Sequence, residues 1–318
     1  MTTFYDVFNG DADGICALHQ LRLEMPHASQ LITGVKREIA LVERVNASAG
    51  DELTVLDVSF ARNAAAVTKA LTAGASCRYF DHHYAGEIPA HPRLRAVIDT
   101  APDVCTSLLV DRELDGRRRV WAVVAAFGDN LGAAAARAAA PLHLALHQLA
   151  QLQELGECIN YNAYGNSVDD LNYHPADLYE SISGYADPFA FIIDEPVFEI
   201  LRASRADDLY HAGELTPEAV NDRRAVYVMP DAPWSRRVNG SFANRLASQH
   251  PARAHAILIW RAGGFSVSVR APLAAPRGAD ALCRQFDSGG GREGAAGIDF
   301  LPEGELGRFA RAFEQAYS

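Results

Sequence analysis

The stretch Asn9-Gly10-Asp11-Ala12-Asp13-Gly14 directly follows a short apolar run, Phe4 to Phe8. A run of this length that ends in turn-forming residues is typical of a β-strand. A helical pattern of apolar residues then follows from Ile15 to Glu24. The sequence therefore predicts a strand whose carboxyl end presents two aspartates at the start of a helix.

The same order of strand and helix recurs further along the chain. Alternation of this kind predicts a mostly parallel sheet with helices on both faces. The alanine-rich segment belongs to the helices, because alanine is the best helix former. The further predicted strands are Leu31 to Val35, Leu53 to Leu56, Cys77 to Phe80 and Ala96 to Ile98, and the helices are Ala61 to Ala73, Val104 to Leu114, Val120 to Phe127 and Ala133 to Ala140.

Length and composition predict two domains, because 318 residues that are 49% hydrophobic exceed the usual size of one core. We expect an α/β domain over residues 1–187, a connecting segment over 188–222 with a helix from Phe189 to Ala206, and a smaller α/β domain over 223–318. The last domain carries predicted strands at Ala225 to Met229, Ala256 to Trp260 and Phe265 to Arg270, and predicted helices at Ser241 to Gln249 and Leu306 to Ala316.

The charge of the chain limits what it can bind. A formal net charge of -11 argues against a protein coated in positive potential, so a nucleic-acid partner must be short and held by a local basic patch. The five cysteines stand singly, which predicts a reducing, cytoplasmic setting. We find no export signal and no membrane-spanning run, and a homodimer is compatible with the sequence.

Carboxylates and imidazoles follow several predicted elements. Asp57 follows the third strand, Asp81-His82-His83 follows the fourth, and Asp129 follows a helical stretch. In an open parallel sheet, groups at the carboxyl ends of the strands meet at one edge, where ligands bind. An oxygen-rich set with imidazoles and no thiolate favours Mn²⁺ or Mg²⁺ over Zn²⁺ or copper.

Each segment also has an ordinary explanation. The first stretch matches half of an EF-hand loop, but the twelfth position is Gln20 rather than Glu, and a strand rather than a helix precedes it. Asp57 alone could cap a helix, and a lone His82-His83 pair would usually be a surface feature. The four segments together favour a metal site.

These residues resemble the DHH phosphoesterase superfamily, which includes RecJ-type exonucleases, nanoRNA and pAp phosphatases, and family II pyrophosphatases. Asp11-Ala12-Asp13-Gly14 is similar to motif I, Asp57 to motif II, Asp81-His82-His83 to motif III, and Gly128-Asp129 to motif IV. The stretch Gly289 to Gly297 resembles the DHHA1 signature, so the resemblance covers nearly the whole chain.

The chain departs from the family's pattern at two positions. Val7 stands where many phosphatase members carry a motif I histidine, as in RecJ-type sequences, and Arg292 stands where the DHHA1 signature has histidine. The first departure removes a metal ligand, and the second changes the side chain expected near the substrate.

The resemblance implies a catalytic DHH domain and a substrate-binding DHHA1 domain. It implies two divalent ions, Mn²⁺ in first place and Mg²⁺ in second. One would be held by Asp13, Asp57, His82 and Asp129, and the other by Asp11 and Asp57, with Asp57 bridging. Asp81 would orient the imidazoles, and His83 would face the scissile phosphate. Another phosphate would be gripped by Arg270, Arg292 and the backbone N–H groups of Gly289, Gly290 and Gly291.

The implied activity is metal-dependent hydrolysis of phosphate esters in short oligonucleotides, linear dinucleotides or nucleoside bisphosphates. The alternatives are a RecJ-like exonuclease acting on longer single strands and a nucleotide-binding sensor that has lost turnover. Inorganic pyrophosphatase is disfavoured, since the glycine-rich signature belongs to the nucleotide-cleaving members.

Overall fold

The computed structural model describes residues 2–318 and divides into two compact units, one ending at Ser204 and the other spanning Arg205–Ser318. The separate roles of residues 1–187, 188–222 and 223–318 stay a prediction. Within the described residues, none of the helices combines the length and the apolar composition needed to cross a bilayer.

The first unit contains a five-stranded sheet in which every pair of neighbours is parallel. Its strands are β1 (Phe4–Phe8), β2 (Gln30–Ile32), β3 (Glu52–Leu56), β4 (Ser76–Asp81) and β5 (Leu94–Ile98). The order in the sheet is β2-β1-β3-β4-β5, so the ends of β1, β3 and β4 lie side by side.

Helices cover both faces of this sheet. They are α1 (Ala12–Glu24), α2 (Phe60–Ala73), α3 (Thr106–Glu113), α4 (Arg119–Gly128), α5 (Gly132–Ala139), α6 (Leu146–Asn162), α7 (Pro175–Ser183), α8 (Pro188–Asp194) and α9 (Pro196–Gly213). Tyr5 and Val55 pack in the core with Val67 of α2, whereas Phe8 and Leu56 pack in the core with α1 and α4. The predicted α/β class is confirmed.

Close contact between helices places motif IV. A Cβ atom added at Gly156 of α6 would lie 2.1 Å from the Val124 carbonyl oxygen, and one added at Gly128 would lie 2.4 Å from Cβ of Ala12. Only glycine allows backbones to approach so closely. Asp129, which follows Gly128, is thereby held beside the start of α1.

Several elements differ from the sequence prediction. The second strand ends at Ile32 rather than Val35. The predicted single helix from Phe189 to Ala206 is wrong: α8 ends at Asp194 and α9 begins at Pro196. Proline has no backbone N–H and restricts the residue before it, so it starts a helix more readily than it continues one. Helix α6 was not predicted.

The second unit contains a six-stranded mixed sheet, in which only β7 and β8 are parallel. Its elements are β6 (Ala219–Val220), β7 (Arg224–Met229), α10 (Pro233–Gln249), β8 (Ala254–Arg261), β9 (Gly264–Arg270), α11 (Ala279–Cys283), β10 (Gly289–Arg292), β11 (Ala295–Pro302) and α12 (Leu306–Ala316). Phe309 and Phe313 of α12 pack on Val267 of β9 and Ile298 of β11. The glycine run forms the edge strand β10.

Candidate metal centre

Motif I joins the start of two helices. Oδ1 of Asp11 accepts the N–H groups of Asp13 (3.0 Å) and Gly14 (3.1 Å), so Asp11 caps α1. The two carboxylate oxygens of Asp13 accept the N–H groups of Ser107 and Thr106, each at 2.7 Å, at the start of α3. Unsatisfied N–H groups at helix starts stabilise negative charge. Asp11 and Asp13 are therefore buried as hydrogen-bonded carboxylates.

Asp57 is held in an unusual backbone conformation at the end of β3. Its φ angle is +58°, in the left-handed region that aspartate and asparagine tolerate better than most residues. Its N–H donates to the Phe80 carbonyl oxygen (3.0 Å), and Thr106 Oγ1 donates to its Oδ1 (3.1 Å). These contacts fix Asp57 between β4 and α3.

Asp81 organises the histidine pair. Its Oδ1 accepts the N–H groups of His82 (2.9 Å) and His83 (3.1 Å) and contacts His83 Nδ1 (2.8 Å). Its Oδ2 accepts the Phe60 N–H (3.2 Å). With both oxygens engaged and the side chain fully buried, Asp81 fixes the backbone of both histidines and the ring of His83.

His82 presents a free nitrogen to the carboxylates. Its Nδ1 lies 2.9 Å from the Val104 carbonyl oxygen and must donate to it, which leaves Nε2 as the ring's acceptor. Nε2 lies 3.4 Å from Asp57 Oδ1 and 3.8 Å from Asp129 Oδ2. In metal sites, a hydrogen bond from the other ring nitrogen to a carbonyl oxygen orients a histidine ligand in this way.

Two groups of potential ligands overlap at His82. One is Asp57, His82 and His83, the other is Asp13, His82 and Asp129, and within each group the ligand atoms lie within 4.8 Å of one another. The structure thus brings together Asp13, Asp57, His82, His83 and Asp129, as the sequence placed them. Val7 lies in the core with Val55 and offers no ligand atom.

The electrostatics of the cluster favour a cation. Burial raises the pKa of Asp57 well above its ordinary value, and the carboxylates of Asp13 and Asp11 act in the same direction. Burial also raises the pKa of Asp129, although Lys36 opposes it. Charged carboxylates this close repel one another, and the single charge of Lys36 offsets only part of that repulsion, so the donor set fits a divalent metal.

Three further residues contact the cluster without having been predicted from the sequence: Lys36, Asn160 and Thr106. Lys36 Nζ lies 2.5 Å from Asp11 Oδ2, 3.4 Å from Asp129 Oδ1 and 3.1 Å from Asn160 Oδ1. Burial acts to raise the pKa of Asp11, but the charge and hydrogen bond of Lys36 outweigh it and lower the pKa. One feature of the sequence could have drawn attention to Lys36: it is one of only two lysines in the chain.

The predicted substrate-binding residues lie together in the second unit. Arg270 of β9 pairs with Ala295 of β11, which pairs with Arg292 of β10. Directly paired residues point to the same face of a sheet, so the two arginines flank Ala295 on one face. Gly290 shares that face with Arg292. Nε of Arg270 donates to Asn244 Oδ1 of α10 (2.9 Å), and Arg292 is exposed.

No protein-family model and no curated protein sequence matches this chain. Several solved structures are similar to it across 99% of its length. A DHH-domain protein described as a member of the S1p family of ribosomal proteins has a TM-score of 0.65 at 13% identity, over 86% of that chain.

Two further structures carry names of activities. The exonuclease RecJ bound to manganese has a TM-score of 0.58 at 17% identity, over 90% of that chain. The pGpG-specific phosphodiesterase PggH from Vibrio cholerae has a TM-score of 0.57 at 12% identity, over 99% of that chain.

The first unit is an α/β fold that carries a cluster of carboxylates and imidazoles at one edge of its sheet. This chain has the fold of the DHH-domain proteins over nearly its whole length, as its motifs predicted.

Proposed function

We propose that this protein is a metal-dependent phosphoesterase that hydrolyses phosphate esters in short oligonucleotides, linear dinucleotides or nucleoside bisphosphates. The observation that carries the proposal is the partly buried group Asp13, His82 and Asp129, joined at His82 to Asp57 and His83. All of them follow strand or helix ends at one edge of a parallel sheet, where ligands of such folds bind.

Asp13, Asp57, His82 and Asp129 would hold a divalent ion. Four ligands with three carboxylates and one imidazole suit Mn²⁺ first and Mg²⁺ second. The chemistry that such an ion supplies when bound is activation of water and stabilisation of charge on phosphoryl oxygens. The resemblance implies a second ion at Asp11 and Asp57.

His83 would contact the scissile phosphate. Its hydrogen bond to Asp81 raises the pKa of His83, so the ring favours the protonated form more than a free histidine does. With Nδ1 held by Asp81, Nε2–H remains to donate to a phosphate oxygen, and the side chain is 45% exposed. His83 would thus neutralise charge on the reacting phosphate and orient it.

The sheet face of the second unit that carries Arg270 and Arg292 would grip a phosphate that is not cleaved. Arg270 and Arg292 present guanidinium forks suited to phosphate, and both stand on the same face as Gly290. A Cβ atom added at Gly290 would meet nothing within 4 Å, so an anion can approach the backbone there.

A RecJ-like exonuclease acting on long single strands is the second candidate. The likeness to RecJ and the valine at position 7 favour it. The net charge of -11 opposes it, because tracking a long strand requires many phosphate contacts. The likeness to the pGpG-specific phosphodiesterase makes linear dinucleotides the first substrates to test.

The test is incubation with Mn²⁺, Mg²⁺ or a chelator and a panel of substrates, with products identified by mass. The panel holds pAp, linear and cyclic dinucleotides, longer single strands and pyrophosphate. We expect Mn²⁺-dependent hydrolysis of the short nucleotides and its loss on chelation. Absence of hydrolysis across the panel with Mn²⁺ present would refute the proposal, and nucleotide binding without turnover would then support a sensor.

A further inference from the structure

The ammonium group of Lys36 is completely satisfied inside the candidate metal centre. A lysine ammonium has three N–H donors and no acceptor. Nζ lies within hydrogen-bonding distance of Asp11 Oδ2 (2.5 Å), Asn160 Oδ1 (3.1 Å) and, at the long end, Asp129 Oδ1 (3.4 Å). Each donor therefore has its own acceptor, and two of the three acceptors are carboxylates.

The backbone of Lys36 is anchored on both sides of its side chain. Its N–H donates to the Ala163 carbonyl oxygen (2.9 Å), and its carbonyl oxygen accepts Nδ2 of Asn9 (3.2 Å). Asn9 lies two residues before Asp11, and Ala163 follows α6, which also supplies Asn160. The Tyr164 ring lies 5.7 Å from Nζ and closes that side. Lys36 is thus built into the cluster rather than carried by a loose surface loop.

Asp11 has no oxygen left without a donor. Its Oδ1 caps α1 through the Asp13 and Gly14 N–H groups, and its Oδ2 faces Lys36. The family resemblance assigns Asp11 to the second metal ion only. An ion bound at Asp11 Oδ2 would therefore compete with an ammonium for the same oxygen, at a separation where like charges repel strongly.

We propose that the Lys36 ammonium takes the place of the second metal ion, so that each chain binds one divalent cation. That cation would be held by Asp13, Asp57, His82 and Asp129. The inference rests on the proposed metal-dependent function, and it changes the metal count rather than the reaction type. A fixed single charge, supplied by the chain itself, would then stand where the family resemblance implies an exchangeable divalent ion.

The metal count of purified protein at saturating Mn²⁺ tests the proposal. Bound Mn²⁺ per chain is measured by mass spectrometry of the metal after removal of free ions. Electron paramagnetic resonance distinguishes an isolated ion from a spin-coupled pair. Lys36→Met keeps an unbranched side chain, one atom shorter, and removes its charge. Lys69→Met is the matched control, because Lys69 is the only other lysine and is exposed on α2.

We expect one Mn²⁺ per chain, with the spectrum of an isolated ion, in the wild type and in Lys69→Met. Lys36→Met should bind a second Mn²⁺ and give the spectrum of a coupled pair. Two ions in the wild type, or one ion in a folded Lys36→Met, would overturn the inference while leaving the proposed function standing.

A wild type that binds no Mn²⁺ would instead refute the metal-dependent function itself. Circular dichroism checks that each variant is folded. If Lys36→Met is not folded, Lys36→Gln replaces it in the comparison, since glutamine keeps an N–H donor but carries no charge. The number of Mn²⁺ ions bound per wild-type chain distinguishes one ion from two whichever variant is used.

Discussion

At the scale of single residues, the cluster combines strained backbone and unfavourable charge. Asp57 has a φ angle of +58° and lies 2% exposed among other carboxylates. Residues held in this way cost stability and persist where the surrounding structure imposes them, often at functional sites. Asp57 is therefore the position where function and stability should respond in opposite directions.

Asp57→Asn separates the two effects. Asparagine tolerates the same backbone conformation but cannot carry charge. We expect kcat to fall by more than the roughly 10- to 100-fold that loss of an outer partner of a metal ligand costs. Steady-state assays with Mn²⁺ measure it, and Asp115→Asn is the control, because exposed Asp115 has a similar φ of +53°.

In the metal-free protein, Asp57→Asn should raise stability, whereas it lowers activity in the presence of metal. Burial raises the pKa of Asp57 above 3.8, so the unfolded state loses this proton at lower pH than the folded state. Stability is therefore lost as pH rises from 3.8 through the raised pKa. Asp57→Asn lacks this loss, and urea unfolding in chelator should show it more stable than wild type at neutral pH. If Asp57→Asn were less stable than wild type under these conditions, the charge of Asp57 would not be destabilising in the metal-free protein.

At the scale of elements, β10 carries two glycines with different duties. Gly291 has a φ angle of +140°, and a Cβ atom there would lie 2.5 Å from the Ala296 Cα atom. Gly290, one residue earlier, has open space where its Cβ would be. Gly291 is required by the pairing of β10 with β11, whereas Gly290 leaves room beside the strand for a ligand.

Alanine substitutions should therefore act differently at the two positions. Gly291→Ala should destabilise the protein by about 1–3 kcal/mol, because it adds backbone strain and a clash with β11. Gly290→Ala should change stability by no more than about 0.5 kcal/mol but should raise KM if a phosphate approaches the backbone there. Urea unfolding and steady-state kinetics on the two variants measure both effects. Equal loss of stability would contradict this division of roles.

At the scale of the whole molecule, we expect the net charge to limit the length of substrate that the protein can use. With a net charge of -11, we expect kcat/KM to peak at a few nucleotides. The slope of the logarithm of binding against the logarithm of salt should correspond to about two to three phosphate contacts. Kinetics on a ladder of strand lengths at several salt concentrations measure this. Activity that rises steadily with length and collapses with moderate salt would favour the RecJ-like alternative.

Much of the first unit was predictable because local patterns carry the information. Strand–helix alternation predicts a parallel sheet, and a parallel sheet brings the ends of β1, β3 and β4 to one edge. The convergence of Asp13, Asp57 and His82 follows from that rule. The break at Pro196 and the helix α6 were missed, since apolar periodicity sets element boundaries poorly and the first turn of α6 is exposed.

The sequence by itself determined the α/β class, the convergence of carboxylates and histidines, and the net charge of -11. Only the tertiary structure decided that Lys36 joins the centre. Its acceptors Asp11, Asp129 and Asn160 lie 25, 93 and 124 positions away along the chain. No local period or motif relates residues so far apart. Their meeting depends on how the loop after β2 and helices α4 and α6 pack against the end of β1, and packing of distant elements is what a pattern along the chain leaves open.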